Sequence, residues 1–532
     1  MLKTGIAPAE IFQRREEFGL GNSFKMLTEI IESDKDDNKR RESVKFLGLI
    51  GDKSSQLKKD CFETLENLLV SDNVIEIKRE AAKAIGRIKY EKSLKPLKWV
   101  LEQKPVNNNI KLAVLKAIHK TRFEEHEIKL FINELDNEFQ SIKDFVTIQL
   151  LSLKPGKLID LLLITVEDKK FSNKHHTEVL RLLGYEISSI NITFEDSSYI
   201  KIKYPEILDS LNLYKNTLLK VITQNLREDD SNLMDSVITI LKILEGEIEE
   251  DLIKYLLIDD FIVKKNAVIL CGRLKLKETV DILITNIDNI YNEVSIAAIE
   301  ALGEIGDLST IPELINILDV DDISFEYTGS ENVTNISNAV KKIYVNNKDA
   351  SYECLYSFLA KDNNIIQESV AFILGELGKD EAVEPLLGLL KATMNLDIRK
   401  NTIIALGKIG NVDSLEDLVQ IIEDENSYWL IKKVAIDAIY NIVQKNWYKV
   451  REGVEDVIRL LNKNMARLTD HLGNNEDENY RVKLGLIKLL EVYGGKQALG
   501  SLLKRVNDFH RVVRIYASNA IKIIEENLEQ DQ

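Results

Sequence analysis

Apolar residues along this chain fall into short runs with helical spacing. From Val294 the apolar side chains recur at intervals of three and four residues, and the same spacing returns from Ile311. Such intervals place apolar side chains on one face of an α-helix. Because only a few polar residues separate the two runs, the pattern predicts two amphipathic helices joined by a short turn.

The helix pair is repeated along the chain. Three segments align with one another: AAIEALGEIGDLSTIPELINIL from Ala297, SVAFILGELGKDEAVEPLLGLL from Ser369, and NTIIALGKIGNVDSLEDLVQII from Asn401. Weaker copies begin at Ser43, Glu80 and Lys265. The equivalent glycines are Gly48, Gly86, Gly272, Gly303, Gly375 and Gly407. Gly272 and Gly303 are 31 residues apart and Gly375 and Gly407 are 32 apart, a period that holds two helices and two turns.

Small residues in each copy predict its local geometry. Ala301 and Gly303 would let the second helix of the pair approach the first closely. A second set of glycines stands where a helix end needs a left-handed residue. This set is Gly306, Gly378 and Gly410. The residues expected to cap the following helix are Asp307, Asp380 and Ser414.

The ALGxxGD…P-L-x-x-L-L pattern resembles the short HEAT-like repeats that are also found in bilin-lyase-like proteins. The resemblance implies an all-α, armadillo-type fold, a right-handed α–α superhelix in which each repeat packs mainly on its neighbours. It implies little about function, because the pattern consists of packing residues. Bilin-lyase-like enzymes therefore remain an alternative by fold analogy alone.

The rhythm of the repeats divides the chain. Residues 187–207 alternate like two short strands around Glu195–Ser198, and Pro205 then restarts a helix. Residues 319–334 are polar and predict a loop insertion. The expected organisation is N-terminal repeats at 1–186, an irregular insertion at 187–207, central repeats at 208–318, a loop at 319–334, and C-terminal repeats with a cap at 335–532.

Composition narrows the class of protein. The chain is 44% hydrophobic and 30% charged, which is typical of a folded protein. Three widely separated cysteines favour a reducing compartment over a disulfide framework, and no apolar run is long enough to span a bilayer. We therefore expect a cytoplasmic protein with no transmembrane segment.

Residues that carry catalytic or metal chemistry are scarce. The six histidines provide one His-Glu dipeptide, His126-Glu127, and one His-x-Glu, His176 with Glu178. Neither completes a metal motif, and an acidic run at residues 34–37 lacks the glycine and closing glutamate of a calcium loop. No catalytic residue, metal site or cofactor is predicted. A non-enzymatic scaffold that binds protein or peptide partners is the preferred interpretation.

The C-terminal section is the candidate binding site. The net charge is −16, which disfavours nucleic acid as a partner, but residues 431–524 hold 17 Lys/Arg against 10 Asp/Glu. Cations and large aromatics there predict a face for an acidic partner. The candidate residues are Lys445, Trp447, Tyr448, Lys449, Arg451, Arg481, Lys483, Lys504, Arg505, Arg511 and Arg514. A nucleic-acid-binding HEAT-like protein that uses this basic section is the further alternative.

Overall fold

A computed structural model describes residues 6–103, 105–190, 204–244, 249–318, 329–476 and 478–530. Within those residues the chain forms helices and turns with no strand, as the sequence predicts. The chain divides into two compact units, residues 1–246 and residues 247–532. The all-α repeat architecture is therefore confirmed in each unit. No helix in the described part of the chain is long and apolar enough to cross a membrane.

The first unit is a succession of helices joined by short connections. Its helices are α1 Pro8–Gln13, α2 Arg15–Phe18, α3 Leu20–Ser33, α4 Asp37–Lys53, α5 Lys58–Ser71, α6 Ile75–Ile88, α7 Leu94–Glu102, α8 Asn108–Thr121, α9 Glu125–Ile132, α10 Gln140–Leu151, α11 Pro155–Glu167, α12 Asn173–Ile190, α13 Pro205–Leu213, α14 Lys215–Asn225 and α15 Ser231–Ile243. From α4 to α9 the first helix of each pair alternates with a second helix, and α4 and α6 carry the repeat glycines Gly48 and Gly86.

The second unit shows the helix pairs most regularly. Its helices are α16 Glu249–Leu256, α17 Phe261–Arg273, α18 Val280–Thr285, α19 Asn292–Ile305, α20 Ile311–Asn316, α21 Gly329–Asn346, α22 Glu353–Leu359, α23 Asn364–Leu377, α24 Val383–Ala392, α25 Leu396–Ile409, α26 Leu415–Glu423, α27 Trp429–Arg451, α28 Glu455–Asn474, α29 Tyr480–Tyr493, α30 Gly495–Arg505 and α31 Arg511–Gln530. Short 3₁₀ turns lead into several second helices, at Lys277–Thr279, Leu308–Thr310, Asp380–Ala382 and Val412–Ser414.

The repeat glycines lie where the first helices of consecutive pairs touch. A Cβ atom added to Gly375 would lie 2.7 Å from the Cα of Ala405, and one added to Gly407 would lie 2.8 Å from the Cα of Ala438. Ala405 stands two residues before Gly407 on the same helix. In each Ala-x-Gly, the alanine therefore contacts the glycine of the preceding first helix, and the glycine contacts an alanine of the following first helix. The expectation that these small residues admit the second helix of the same pair is wrong, because they admit the first helix of the next pair.

The same contact recurs in both units. Its members are the pairs Gly48 with Ala84, Gly86 with Ala117, Gly272 with Ala301, and Gly303 with Ala339. The chain of contacts stops where the glycine position is taken by a larger residue. His119 takes it in α8, where it packs edge-on against Phe123 with ring centroids 4.7 Å apart. The glycines therefore set the distance between repeats.

The turn glycines adopt the backbone that the sequence predicts. Gly306, Gly378 and Gly410 end α19, α23 and α25 at φ values of 79°, 65° and 82°. Lys89 and Lys275 occupy the equivalent position in weaker copies and hold φ values of 51° and 57°. A residue with a Cβ is strained in this left-handed region. Glycine would therefore fit these two positions better than lysine.

The residues that cap the second helices differ in part from those expected. Asp307 accepts a hydrogen bond from the backbone N–H of Ser309, as predicted. Asp380 lies inside its 3₁₀ turn, and the N-cap residue of that turn is Lys379, whose side chain makes no capping hydrogen bond. In the third copy Asn411 accepts from the N–H of Asp413, while Ser414 donates to the carbonyl of Asn411. An earlier residue in the turn therefore takes the role assigned to Ser414.

The two predicted insertions are shorter than expected where the structure describes them. Helix α12 continues through Ile190 and α13 begins at Pro205, so both ends of the 187–207 segment are helical. Pro205 does restart a helix, in its first turn. The strands predicted around Glu195–Ser198 lie outside the described residues. Helix α21 begins at Gly329, so residues 329–334 belong to a helix rather than to a loop.

Candidate partner-binding site

The predicted binding residues sit on four helices, α27, α29, α30 and α31. The side chain of Asn479 caps α29 by accepting the backbone N–H of Arg481 at 2.9 Å, which fixes Arg481 in the first helical turn. The loop at residues 506–510 joins α30 to α31, with Lys504 before it and Arg511 after it. The start of α29 and this loop are therefore the two parts that position the later cations.

Two of the predicted cations are buried and hold the fold together. Lys483 and Arg505 are both nearly inaccessible, and both bind Asp508, at 2.9 Å and 3.2 Å. Arg505 also donates to the carbonyl of Gly473 at 3.1 Å. The prediction that these two side chains lie on a binding face is wrong, because each is buried and paired with the carboxylate of Asp508.

The ionised form of Asp508 is stabilised by this arrangement. Burial on its own would raise the pKa of Asp508, but hydrogen bonds from the His510 N–H, Lys483 and Arg505 outweigh that effect and hold the pKa below its usual range. Removing Asp508 would leave two buried cations without their carboxylate partner. The group is therefore a structural ion network, and sequence periodicity offered no sign of it.

The other C-terminal cations are closer to solvent. Arg514 donates to the carbonyls of Asp508 and Phe509, at 2.8 Å and 2.9 Å, and so braces the 506–510 loop. Lys504 is exposed and reaches Asn474 at 3.1 Å. Arg511 is exposed at the start of α31. Lys504 and Arg511 are therefore the members of this group with side chains available to a partner.

Aromatic rings surround the start of α29. The guanidinium of Arg481 lies 4.5 Å from the ring centroid of Trp429 and 5.3 Å from that of Tyr480. Tyr480 stacks on His510, with centroids 4.1 Å apart. Phe509, next in the chain, is fully exposed. We name the exposed cations Arg481, Lys504 and Arg511, with the rings of Tyr480 and Phe509, the cationic corner.

The five earlier candidates lie at the opposite end of the helices. Lys445 donates to the carbonyl of Lys408, and the indole of Trp447 packs on Tyr493 with centroids 5.0 Å apart. Tyr448 is about half exposed, and the ammonium of Lys449 lies 5.8 Å from its ring centroid. Arg451 is exposed at the end of α27.

The predicted residues therefore form two groups and not one face. Tyr493 ends α29 whereas Arg481 stands near its start, and twelve residues of helix span about 18 Å. The sequence correctly predicted cations beside aromatic rings. It could not show that the predicted residues belong to opposite ends of the helices. The cationic corner is the group in which cations and exposed apolar surface come together.

A second buried network ties α27 to α28. Glu478 binds Lys432 at 2.8 Å and His471 at 2.9 Å, and its other oxygen accepts the backbone N–H of Asn479. Burial acts to raise the pKa of Glu478, but the hydrogen bonds from His471 and Lys432 lower it to about 2. The network also holds Glu478 next to Asn479, the residue that caps α29. It therefore helps to position Arg481 of the cationic corner.

Parts of the chain that form these repeats match known protein families. The HEAT repeat family matches residues 24–118 and 353–439, and the PBS lyase HEAT-like repeat matches residues 296–319. The matched residues include Gly48, Gly86, Gly303, Gly375 and Gly407, each of which lies against an alanine of the next first helix. The chain is a HEAT-repeat protein.

Solved structures similar to this HEAT-repeat protein include longer importin and karyopherin chains with low sequence identity. Importin beta in an ammonium sulfate condition is 12% identical, covering 97% of this chain and 69% of its own, with a TM-score of 0.37. Yeast importin-beta (Kap95p) is 11% identical, with coverages of 96% and 78% and a TM-score of 0.38. Kap121p bound to Nup53p is 14% identical, with coverages of 98% and 63% and a TM-score of 0.45. A search of curated proteins found no match.

The residues considered for metal chemistry in the HEAT repeats have local structural roles. Glu127 closes a capping box at the start of α9 and binds Lys98 at 2.6 Å. Asp36 caps α4 by accepting the N–H of Asn38, and Asp34 accepts the N–H of Asp36. His176 is buried in α12. Among the described residues no group of histidine, cysteine and carboxylate side chains is arranged to hold a metal ion.

Proposed function

We propose that this chain is a non-enzymatic scaffold that binds an acidic segment of a protein partner at the cationic corner. The observation that carries the proposal is the combination of an exposed ring with exposed cations that form no ion pair with another described residue. Phe509 is fully exposed between Lys504 and Arg511, and Arg481 is held nearby on the faces of two aromatic rings. Carboxylates flanking an apolar side chain would match this surface.

The surroundings of the corner support the choice of partner. Asp508, the carboxylate nearest to Phe509 in the chain, is already neutralised by Lys483 and Arg505. Its charge therefore does not cancel that of Lys504 and Arg511. A net charge of −16 on the whole chain repels polyanions such as nucleic acid, so a short acidic segment suits the corner better than a long charged polymer. We also propose a cytoplasmic location, in keeping with three free cysteines.

Capture from native cell extract tests the proposal with matched charge reversals. The test variant is Lys504→Glu with Arg511→Glu, and the control is Lys449→Glu with Arg451→Glu, which changes the total charge equally at the other end of the helices. Because the reversed side chains of the test variant are exposed, its melting temperature should stay near that of the parent. We expect the test variant to lose a partner that the control retains. Equal capture by both variants would contradict the proposed site.

A further inference from the structure

Helix α31 carries apolar side chains on a face that no other helix in the described part of the chain covers. The helix packs on α29 and α30, and its buried side chains are those of Val513, Ala517, Ala520, Ile521 and Ile524. On its other side, four apolar side chains are between 37% and 47% exposed. We name these four the apolar stripe: Val512, Ile515, Tyr516 and Ile523. Their separations of three, four and seven residues keep them on one helix face, and neighbouring apolar residues of this kind mark an interaction surface.

Exposed charges of opposite sign stand at the two ends of the apolar stripe. Lys504 and Arg511 lie at its beginning, and the ammonium of Lys488 lies 5.5 Å from the ring centroid of Tyr516. At its end, three exposed glutamates and one exposed lysine give residues 522–529 a charge of −2. These charged residues are Lys522, Glu525, Glu526 and Glu529, and none of them is in an ion pair with another described residue. The exposed face of α31 therefore has a positive start and a negative end.

The stripe is arranged evenly around one exposed polar residue, Asn519. This asparagine lies four residues from both Ile515 and Ile523, and seven residues separate it from both Val512 and Glu526. When two copies of a helix lie antiparallel about a two-fold axis, residues at equal distances from the axis face each other. An axis at Asn519 would therefore bring Ile515 of each copy against Ile523 of the other. The same axis would bring the positive start of each helix to the negative end of the other, and would let the two asparagine amides, each both donor and acceptor, hydrogen-bond to one another.

We propose that the apolar stripe binds a second copy of this chain, through an antiparallel pair of α31 helices with a two-fold axis at Asn519. A face that pairs with itself closes after two copies, whereas a face that bound a different part of the chain would build an open series of copies. Among the described residues up to Leu69 no large apolar side chain is exposed, so the N-terminal helices offer no apolar face for a head-to-tail contact. The inference goes beyond the proposed function and does not rest on it, although Arg511 borders both surfaces.

Sedimentation equilibrium of the full chain tests the dimer. One helix face is a small interface, so we expect the average mass to rise from that of one chain toward that of two between about 1 and 300 µM. Replacing Ile515 and Ile523 with serine should raise the dissociation constant at least about tenfold, because it removes apolar contacts from both copies. The control replaces two isoleucines that are also exposed, Ile148 of α10 and Ile164 of α11, and should change the constant by less than about twofold. A chain that stays monomeric throughout, or equal constants for the two variants, would overturn the proposal.

Disulfide cross-linking tests the position of the axis. Cys61 and Cys271 are buried, and Cys354→Ser removes the third native thiol, which is half-buried. In that background Asn519→Cys would place the two new thiols together at the axis, whereas Val512→Cys would leave them about 21 Å apart along the helices. A disulfide requires Cα atoms within about 7 Å of each other. We expect mild oxidation to link the Asn519→Cys chain into dimers and to leave the Val512→Cys chain unlinked. Efficient linking of the Val512→Cys chain, or no linking of the Asn519→Cys chain, would contradict the two-fold axis at Asn519.

Discussion

Replacing Gly375 with alanine tests the contact that sets the distance between repeats. The added methyl group would lie 2.7 Å from the Cα and 2.8 Å from the Cβ of Ala405, on the neighbouring helix. Backbone cannot rotate away as a flexible side chain can, so α23 and α25 would have to separate. Separation would also disturb the next contact, between Gly407 and Ala438.

Gly388 supplies a matched control one helix away. It lies within α24, and a Cβ added there would meet nothing within 4 Å. In both positions alanine gains about 1 kcal/mol of helix propensity over glycine. That gain cancels when the two variants are compared, and what remains is the cost of the steric overlap, about 1–3 kcal/mol for an overpacked site.

Chemical denaturation of the parent and of both variants measures this difference. We expect Gly388→Ala to be as stable as the parent or more stable, and Gly375→Ala to have an unfolding free energy about 1–3 kcal/mol below that of Gly388→Ala. If the two variants had equal unfolding free energies, the Gly375 contact with Ala405 would not determine the spacing of the repeats.

Two further predictions concern left-handed residues and a buried carboxylate. Lys275→Gly should raise the unfolding free energy by about 1 kcal/mol and Gly378→Val should lower it by more than about 1 kcal/mol, because both positions are left-handed; exposed Glu300→Ala is the control, and denaturation curves that do not separate the three would refute the turn geometry. Because the pKa of Glu478 is lowered from 4.5 to about 2 in the folded chain, its contribution to stability is complete above pH 4.5 and is lost as the pH falls toward 2. Glu478→Gln should lack that part of the pH dependence, and a pH profile identical to the parent's would contradict the network around Glu478.

The sequence predicted the fold well because the repeat positions carry purely local information. A left-handed turn demands glycine, so Gly306, Gly378 and Gly410 could be assigned from their spacing alone. The partner of Gly303 could not be assigned in this way. Ala339 lies on the next first helix, and only the stacking of the pairs shows that this helix approaches Gly303 more closely than the second helix of its own pair.

The candidate site was harder to predict, since charge along the chain does not reveal burial. Lys483 and Arg505 read like their exposed neighbours, and only the fold brings Asp508 between them. In the same way, Arg451 and Arg481 belong to one predicted site, but they lie at opposite ends of α27 and α29, which pack against each other. The exposure of Ile290 and Met394 was not predicted for the opposite reason, because hydrophobic residues beside helical runs are normally assigned to the core.

The most direct test of the account is a titration of the chain with a fluorescent peptide in which acidic residues flank a single phenylalanine. The account predicts saturable binding that weakens as salt is raised from about 0.05 to 0.5 M, as expected for exposed charge contacts. It predicts loss of at least about tenfold in affinity for the Lys504→Glu, Arg511→Glu variant, and unchanged affinity for the Lys449→Glu, Arg451→Glu variant. Binding that is insensitive to salt, or equal in the two variants, would contradict a scaffold that holds its partner at the cationic corner.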